Sequence, residues 1–221
     1  MDFLPILIAI IVVVAFVALL MVFSGSKNKG GKKGGKQKSR QIIIKEATKK
    51  LSQNPHNPDG LIPLAELYYQ EQLWDKAYPL YETMLNIAVA HPQIDLGETA
   101  LRQGICALKI GKNEDAFKGL LQARKISPDN FETNFYLGQA FLRNKENDKA
   151  IPLLRKALTI NKDVPEIYKY LGLALYQNHN FKESLPYLKR ALDITPDDKE
   201  LLFSMADAMK EGGNGDRAIK V

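Results

Sequence analysis

Cysteine is almost missing from this chain: Cys106 is the single one among 221 residues. An intramolecular disulfide framework and a cysteine-rich zinc site are therefore excluded. The three histidines, His56, His91 and His179, are far apart in sequence and form no spaced ligand set. Glycine, at 15 residues, and proline, at 11, are at ordinary levels, which excludes a collagen-like or wholly disordered chain. No His–carboxylate pair recurs at a ligand spacing, and no glycine-rich turn follows a strand. The expectation is a protein without catalysis, metal or cofactor.

Acidic residues are missing from one stretch. Lys27, Lys29, Lys32, Lys33, Lys36, Lys38 and Arg40 follow one another with no Asp or Glu between them. The other 24 Lys and Arg residues lie in Gln41–Val221, together with 24 of the 25 Asp and Glu residues. The net charge of +6 thus belongs to a short segment, and the rest of the chain is neutral. Nucleic-acid binding needs a basic face on the fold, so no nucleic-acid partner is expected.

Charge and polar side chains are missing from Phe3–Phe23, a run of 21 residues. As a helix it would be roughly 30 Å long, the thickness of a bilayer core. Pro5 falls in the first turn, where a lost N–H costs little. A cleaved signal peptide would want a positive start and an apolar stretch of about 7–15 residues. Met1-Asp2 carries no positive side chain and the run is longer, although Ser24-Gly25-Ser26 would suit cleavage. The expectation is an uncleaved single-pass anchor over 1–23. The seven basic residues follow it, which puts the N-terminus outside and the rest at the cytoplasmic face. They also offer attraction to anionic lipid. Gly30–Lys36 nearly matches a phosphate-binding loop, but Gln37 replaces the required Ser or Thr and no strand precedes it. Residues 24–40 read as a flexible Gly/Lys linker.

From Gln41 the chain repeats itself. Gly104, Gly138, Gly172 and Ala206 are each 34 residues apart, as are Ala116, Ala150, Ser184 and Ala218. Ala123, Ala157 and Ala191 follow in the same register. Ile126-Ser127-Pro128-Asp129 and Ile194-Thr195-Pro196-Asp197 close equivalent units, while Ile160-Asn161-Lys162-Asp163 lacks the proline. A period of this length means stacked supersecondary units. Leu137, Phe141, Leu154 and Leu158 give the apolar spacing of a face that one unit cannot bury alone. Ala65 to Gly104 spans 39 residues, so five extra ones fall near Ile87–Leu96, where His91-Pro92 ends a helix.

The pattern resembles the tetratricopeptide repeat (TPR) family over about 180 residues. It is carried by Leu137-Gly138 and Leu171-Gly172, Ala150 and Ser184, Ala157 and Ala191, Pro128 and Pro196. The resemblance implies an all-α fold, a solenoid of antiparallel helix pairs in a right-handed superhelix, here preceded by the transmembrane helix. The expected TPR domain is 41–221. It starts with a half-repeat at 41–57, followed by repeats at about 58–96, 97–130, 131–164 and 165–198. An incomplete repeat fills 199–221, and its uncapped end suggests self-association or a longer chain.

In TPR proteins the first helix of each unit lines a concave groove. Transferring those positions gives Leu101, Ile105 and Leu108, then Phe135, Gln139 and Leu142, then Lys169, Leu173 and Tyr176, and finally Phe203. The same transfer gives Glu98, Glu132, Glu166 and Glu200 at the helix starts, Ile62, Glu66 and Tyr69 from the first unit and Asp207 from the last. The clamp that holds acidic chaperone tails needs a Lys/Asn pair, yet the positions here read Leu101/Ile105, Phe135/Gln139 and Lys169/Leu173. An acidic tail is not the expected ligand. The alternative for the apolar positions is inter-repeat core, and Cys106 reads as a small hydrophobe against a neighbouring helix.

The leading expectation is a membrane-anchored TPR scaffold binding a protein or peptide. The architecture resembles bacterial inner-membrane TPR adaptors of envelope biogenesis, and also mitochondrial outer-membrane import receptors. A regulatory portion of a longer chain with a catalytic or metal-binding domain is the alternative from another class. A periplasmic TPR protein of opposite topology is the third.

Overall fold

The structure, a computed structural model, describes residue 37 and residues 39–212. The apolar run 3–23, the basic residues from Lys27 to Lys36 together with Lys38, and the end of the incomplete repeat after Gly212 lie outside the described residues. Among the described residues no helix is long and apolar enough to cross a membrane, and all regular structure is helical. The chain divides into two compact units, one ending at Pro55 and one starting at His56.

In the first unit, α1 covers 39–53, with residue 37 already helical. The segment read as linker up to Arg40 therefore ends earlier, because Arg40 is part of this helix. Asn54-Pro55 closes α1: the Asn54 N–H still reaches Lys50 O at 3.0 Å. Proline then offers no donor for a further turn.

The second unit is a stack of helix pairs. Its elements are α2 (Pro58–Gln70), α3 (Trp74–Ile87), α4 (Leu96–Lys109), α5 (Asn113–Ile126), α6 (Phe131–Arg143), α7 (Asn147–Ile160), α8 (Glu166–Gln177), α9 (Phe181–Leu192) and α10 (Lys199–Glu211). The five extra residues of the first pair appear where the spacing put them. A 3-10 turn, Ala88–Ala90, follows α3 and precedes His91-Pro92. Val89 in that turn is 97% exposed.

Each first helix ends and its partner begins in the same way. Gln72, Gly111, Lys145 and His179 have φ between 57° and 80°, the left-handed region. The next N–H reaches back five residues in every case: Leu73 to Tyr68 O, Lys112 to Ala107 O, Glu146 to Phe141 O, and Asn180 to Leu175 O, at 2.8–2.9 Å. This Schellman closure satisfies carbonyls that a helix end would leave open, and it turns the chain back on itself. First helices open on side-chain caps: Asn57 for α2, Asp95 for α4, Asn130 for α6 and Asp198 for α10. Helix α8 opens on Pro165 with no side-chain cap.

Packing follows the small residues. Ala65, Ala77, Ala116, Ala150, Ala157, Ala174 and Ala208 are fully buried. A Cβ on Gly104 would lie 2.9 Å from the Leu120 backbone nitrogen, and one on Gly172 3.0 Å from that of Leu188. At these glycines the backbone of α5 comes close against α4, and that of α9 against α8. Leu137, Leu154, Leu171 and Leu188 fill the layers between them at 0% exposure. Each such leucine contributes about 1.5–3 kcal/mol through burial. The core runs continuously from Phe135 on α6 to Ala208 on α10, so every pair buries its apolar face on the next.

Candidate functional site

The first helices α4, α6, α8 and α10 touch in sequence, α4 with α6, α6 with α8 and α8 with α10. Their common face is where the transferred groove positions were expected. Seven of the ten are buried there: Leu101, Ile105, Leu108, Phe135, Gln139, Leu142 and Leu173 are 0–8% exposed. Their side chains are spent on packing between helices, so they offer little surface to a ligand. The inter-repeat core reading describes them. Lys169 and Tyr176 are half-buried, and Phe203 is 69% exposed.

The open surface belongs to the transferred glutamates at the helix starts and to neighbours one position along from the buried side chains. Arg102, Tyr136 and Tyr170 are half-buried, and Glu98, Lys109, Glu132 and Glu166 are exposed. Phe135 and Tyr170 meet edge to face at 5.7 Å, bringing α6 against α8. Tyr136 packs on Phe135 at 5.2 Å, and the Lys109 ammonium lies 5.7 Å over the Tyr136 ring. Burial raises the Tyr136 hydroxyl, and the carboxylates of Glu132 and Glu166 push it further, so these groups form one cluster. Burial also raises the Glu132 carboxyl; Glu98 adds to this and Arg102 opposes it. The two acids, one repeat apart, share a field.

Several polar groups on this face are already used as braces between first helices. Arg102 pairs with Glu66 on α2, and its Nε donates to Glu98 Oε1 at 2.5 Å. Its guanidinium also lies 5.0 Å over the Tyr69 ring. Arg143 donates to Leu108 O at 2.5 Å, tying α6 to α4. Lys169 donates to Asp198 Oδ2 at 2.6 Å and stands 3.7 Å from Glu200. Burial pulls the Lys169 ammonium down, but Asp198 and Glu200 outweigh it and the net shift is upward. Tyr176 donates to Asp207 Oδ2 at 2.8 Å, again from α8 to α10. Lys169 and Tyr176 therefore hold the stack together and are not idle groove groups.

A cleft of about 160 Å³ opens beside the 3-10 turn, between α2, α3 and α4. Ile62, Met84 and Ile94 form its apolar part; Glu66, Asp95, Glu98 and Arg102 form its polar part. Sequence reasoning missed Arg102. Its spacing from Glu98 marks an ordinary surface pair, whereas Glu66 is 36 residues away, a distance that carries no local signal.

Burial pushes the Cys106 thiol up to about 12, with Arg102 and a backbone hydrogen bond only partly opposing it. At neutral pH it is protonated and packed against apolar neighbours, a small hydrophobe. Among the described residues no group of three His, Cys, Asp or Glu could hold a metal.

Comparison with known proteins agrees with this architecture. The tetratricopeptide repeat family matches over residues 61–93, 101–165 and 165–198. No curated protein matches the chain. Among solved structures, MamA from MSR-1 is 23% identical with a TM-score of 0.61, covering 71% of this chain and 87% of its own. A MamA from AMB-1 is also 23% identical at a TM-score of 0.61, with 71% and 89% covered. YrrB, described as a TPR protein with an unusual peptide-binding site, is 16% identical at a TM-score of 0.63, with 79% and 87% covered. At these identities the likeness is one of fold. The matched repeats, the register of the helix pairs and the shared fold make this chain a member of the tetratricopeptide repeat family.

Proposed function

We propose that this protein is a membrane-anchored scaffold that holds a protein or peptide partner on its first-helix face, with no chemistry of its own. The observation that carries the reading is the open cluster of Tyr136, Tyr170, Glu132 and Glu166. Aromatic rings with one side in solvent are the usual anchors of a binding surface. The rigid stack beneath them presents these rings without loop motion. A TPR neighbour whose description names a peptide-binding site, YrrB, supports a peptide as ligand.

The anchor and orientation belong to the same proposal. The 21 apolar residues of Phe3–Phe23 are enough to cross a bilayer core as a helix would, and the basic residues Lys27–Arg40 follow them in sequence. The repeats then lie at the cytoplasmic face, where a scaffold of bacterial envelope biogenesis would work. Reporter fusions after Arg40 test the orientation: activity of a cytoplasmic reporter is expected, and activity of an exported one overturns it.

The binding reading is tested by co-isolation from native membranes with the full chain beside a Tyr136→Ala/Tyr170→Ala variant. A partner kept by the native chain and lost by the folded variant is expected. Equal recovery by both overturns the assignment of this face.

A further inference from the structure

We infer that the partner segment carries a Lys or Arg, and that this side chain enters the cleft between α2, α3 and α4. The inference rests on the peptide-binding reading above and gives it a ligand chemistry. The cleft is lined in part by Gln93, Ile94 and Asp95 from the lengthened junction that precedes α4. Its apolar wall is Ile62, Met84 and Ile94, and its rim carries Glu66, Asp95 and Glu98 against one cation, Arg102. Lys and Arg are the side chains that match both halves: an aliphatic stem against apolar surface and a charged head among carboxylates. Arg102 pairs with Glu66 and Glu98, yet three carboxylates against one cation leave the rim negative, and an acidic side chain would add to that excess. A wholly apolar one would strip water from them and give no partner in return.

The surface beyond the cleft has the same preference. Glu132 and Glu166 follow Glu98 at 34-residue steps, and the Tyr136 and Tyr170 rings stand among them. Lys109 already sits 5.7 Å over Tyr136, so this ring accepts a cation on its face. Charge complementarity therefore commits the surface to a basic extended segment of another protein.

The experiment selects random peptides of about ten residues on the immobilised full-length chain, a length that spans a groove of this kind. Lys and Arg are expected to be enriched about threefold at one position. In anisotropy, the best selected peptide is expected to bind about tenfold more weakly to Ile62→Trp, which fills the cleft with charges intact, and to Glu66→Gln/Glu98→Gln. Added salt should weaken binding as well, and thermal melts check that both variants stay folded. Selection of neutral or acidic peptides overturns the inference and leaves the peptide-binding reading standing. Selection of no peptide overturns both. Basic peptides indifferent to Ile62→Trp remove the cleft from the site. If they bind only after the seven basic residues of Lys27–Arg40 are changed to Gln, the chain's own segment is the occupant and the external partner is ruled out.

Discussion

Gly104 and Gly138 occupy equivalent positions, yet what surrounds them differs. A Cβ on Gly104 meets backbone, Leu120 N at 2.9 Å and Ala116 O at 3.2 Å, and the Leu120 side chain at 2.8 Å. At Gly138 the two closest atoms both belong to the Leu154 side chain, at 2.7 and 2.9 Å. Alanine favours a helix by about 1 kcal/mol over glycine, while overpacking costs about 1–3 kcal/mol. Gly104→Ala should lower the urea midpoint, a loss of up to about 2 kcal/mol by difference, and Gly138→Ala should lose less. Glu132 gives a pH signature at the same scale. Its carboxyl lies above the ordinary value in the folded state, because of burial first and Glu98 second. Such a group contributes stability fully below the unfolded value of about 4.3 and loses it as pH rises through the folded value. The stability of the native chain relative to Glu132→Gln should therefore fall between pH 4.3 and neutral; a flat difference would refute the assignment. The small residues at Gly104 and Gly138 were legible because a 34-residue period repeats them. Gly119 was not: its Cβ would meet Ala100 O at 2.9 Å and Gly104 Cα at 3.0 Å, a tight spot confined to one unit. No periodicity marks a contact that occurs once.

At the scale of elements, the turns between paired helices show what a pattern of residue types hides. All four require a left-handed residue, and one of them, Gly111, is glycine. Gln72, Lys145 and His179 hold the same conformation with a Cβ, at a cost of roughly 1 kcal/mol or more each. Lys145→Gly should raise the unfolding free energy by about 0.5–1 kcal/mol, read from chemical denaturation; a decrease would contradict the Schellman account of this turn. The helix pairs and the inserted junction were legible from spacing alone. The groove lining was read onto the first helices, and most of the side chains chosen there are buried. Transfer of family positions chose Leu101, Ile105 and Leu173, apolar side chains that the neighbouring helices cover completely or nearly so. Of the open residues, Glu132 was among the transferred positions, but Tyr136 and Tyr170 sit one position along, and which of two adjacent positions is covered depends on inter-helix packing that sequence spacing does not encode. Lys169 is a similar case: its identity as a groove cation is readable, but its engagement by Asp198, 29 residues on, is not.

For the whole molecule, the stack acts as a rigid surface because polar braces between repeats recur along both its first and its second helices. First helices are linked through Glu66–Arg102, Arg143–Leu108 and Lys169–Asp198. Second helices are linked through the Tyr78 hydroxyl, which donates to Asp115 Oδ2 at 2.8 Å, and through Arg155–Glu183. A surface held from both sides binds with little ordering cost, which suits a scaffold. The most direct measurement places a photo-reactive amino acid in the full chain in its native membrane, at Glu132 on the first-helix face or at Lys118, exposed on α5. The account predicts a specific cross-linked protein from position 132 and none from position 118. A cross-link from 118 with none from 132 would contradict it.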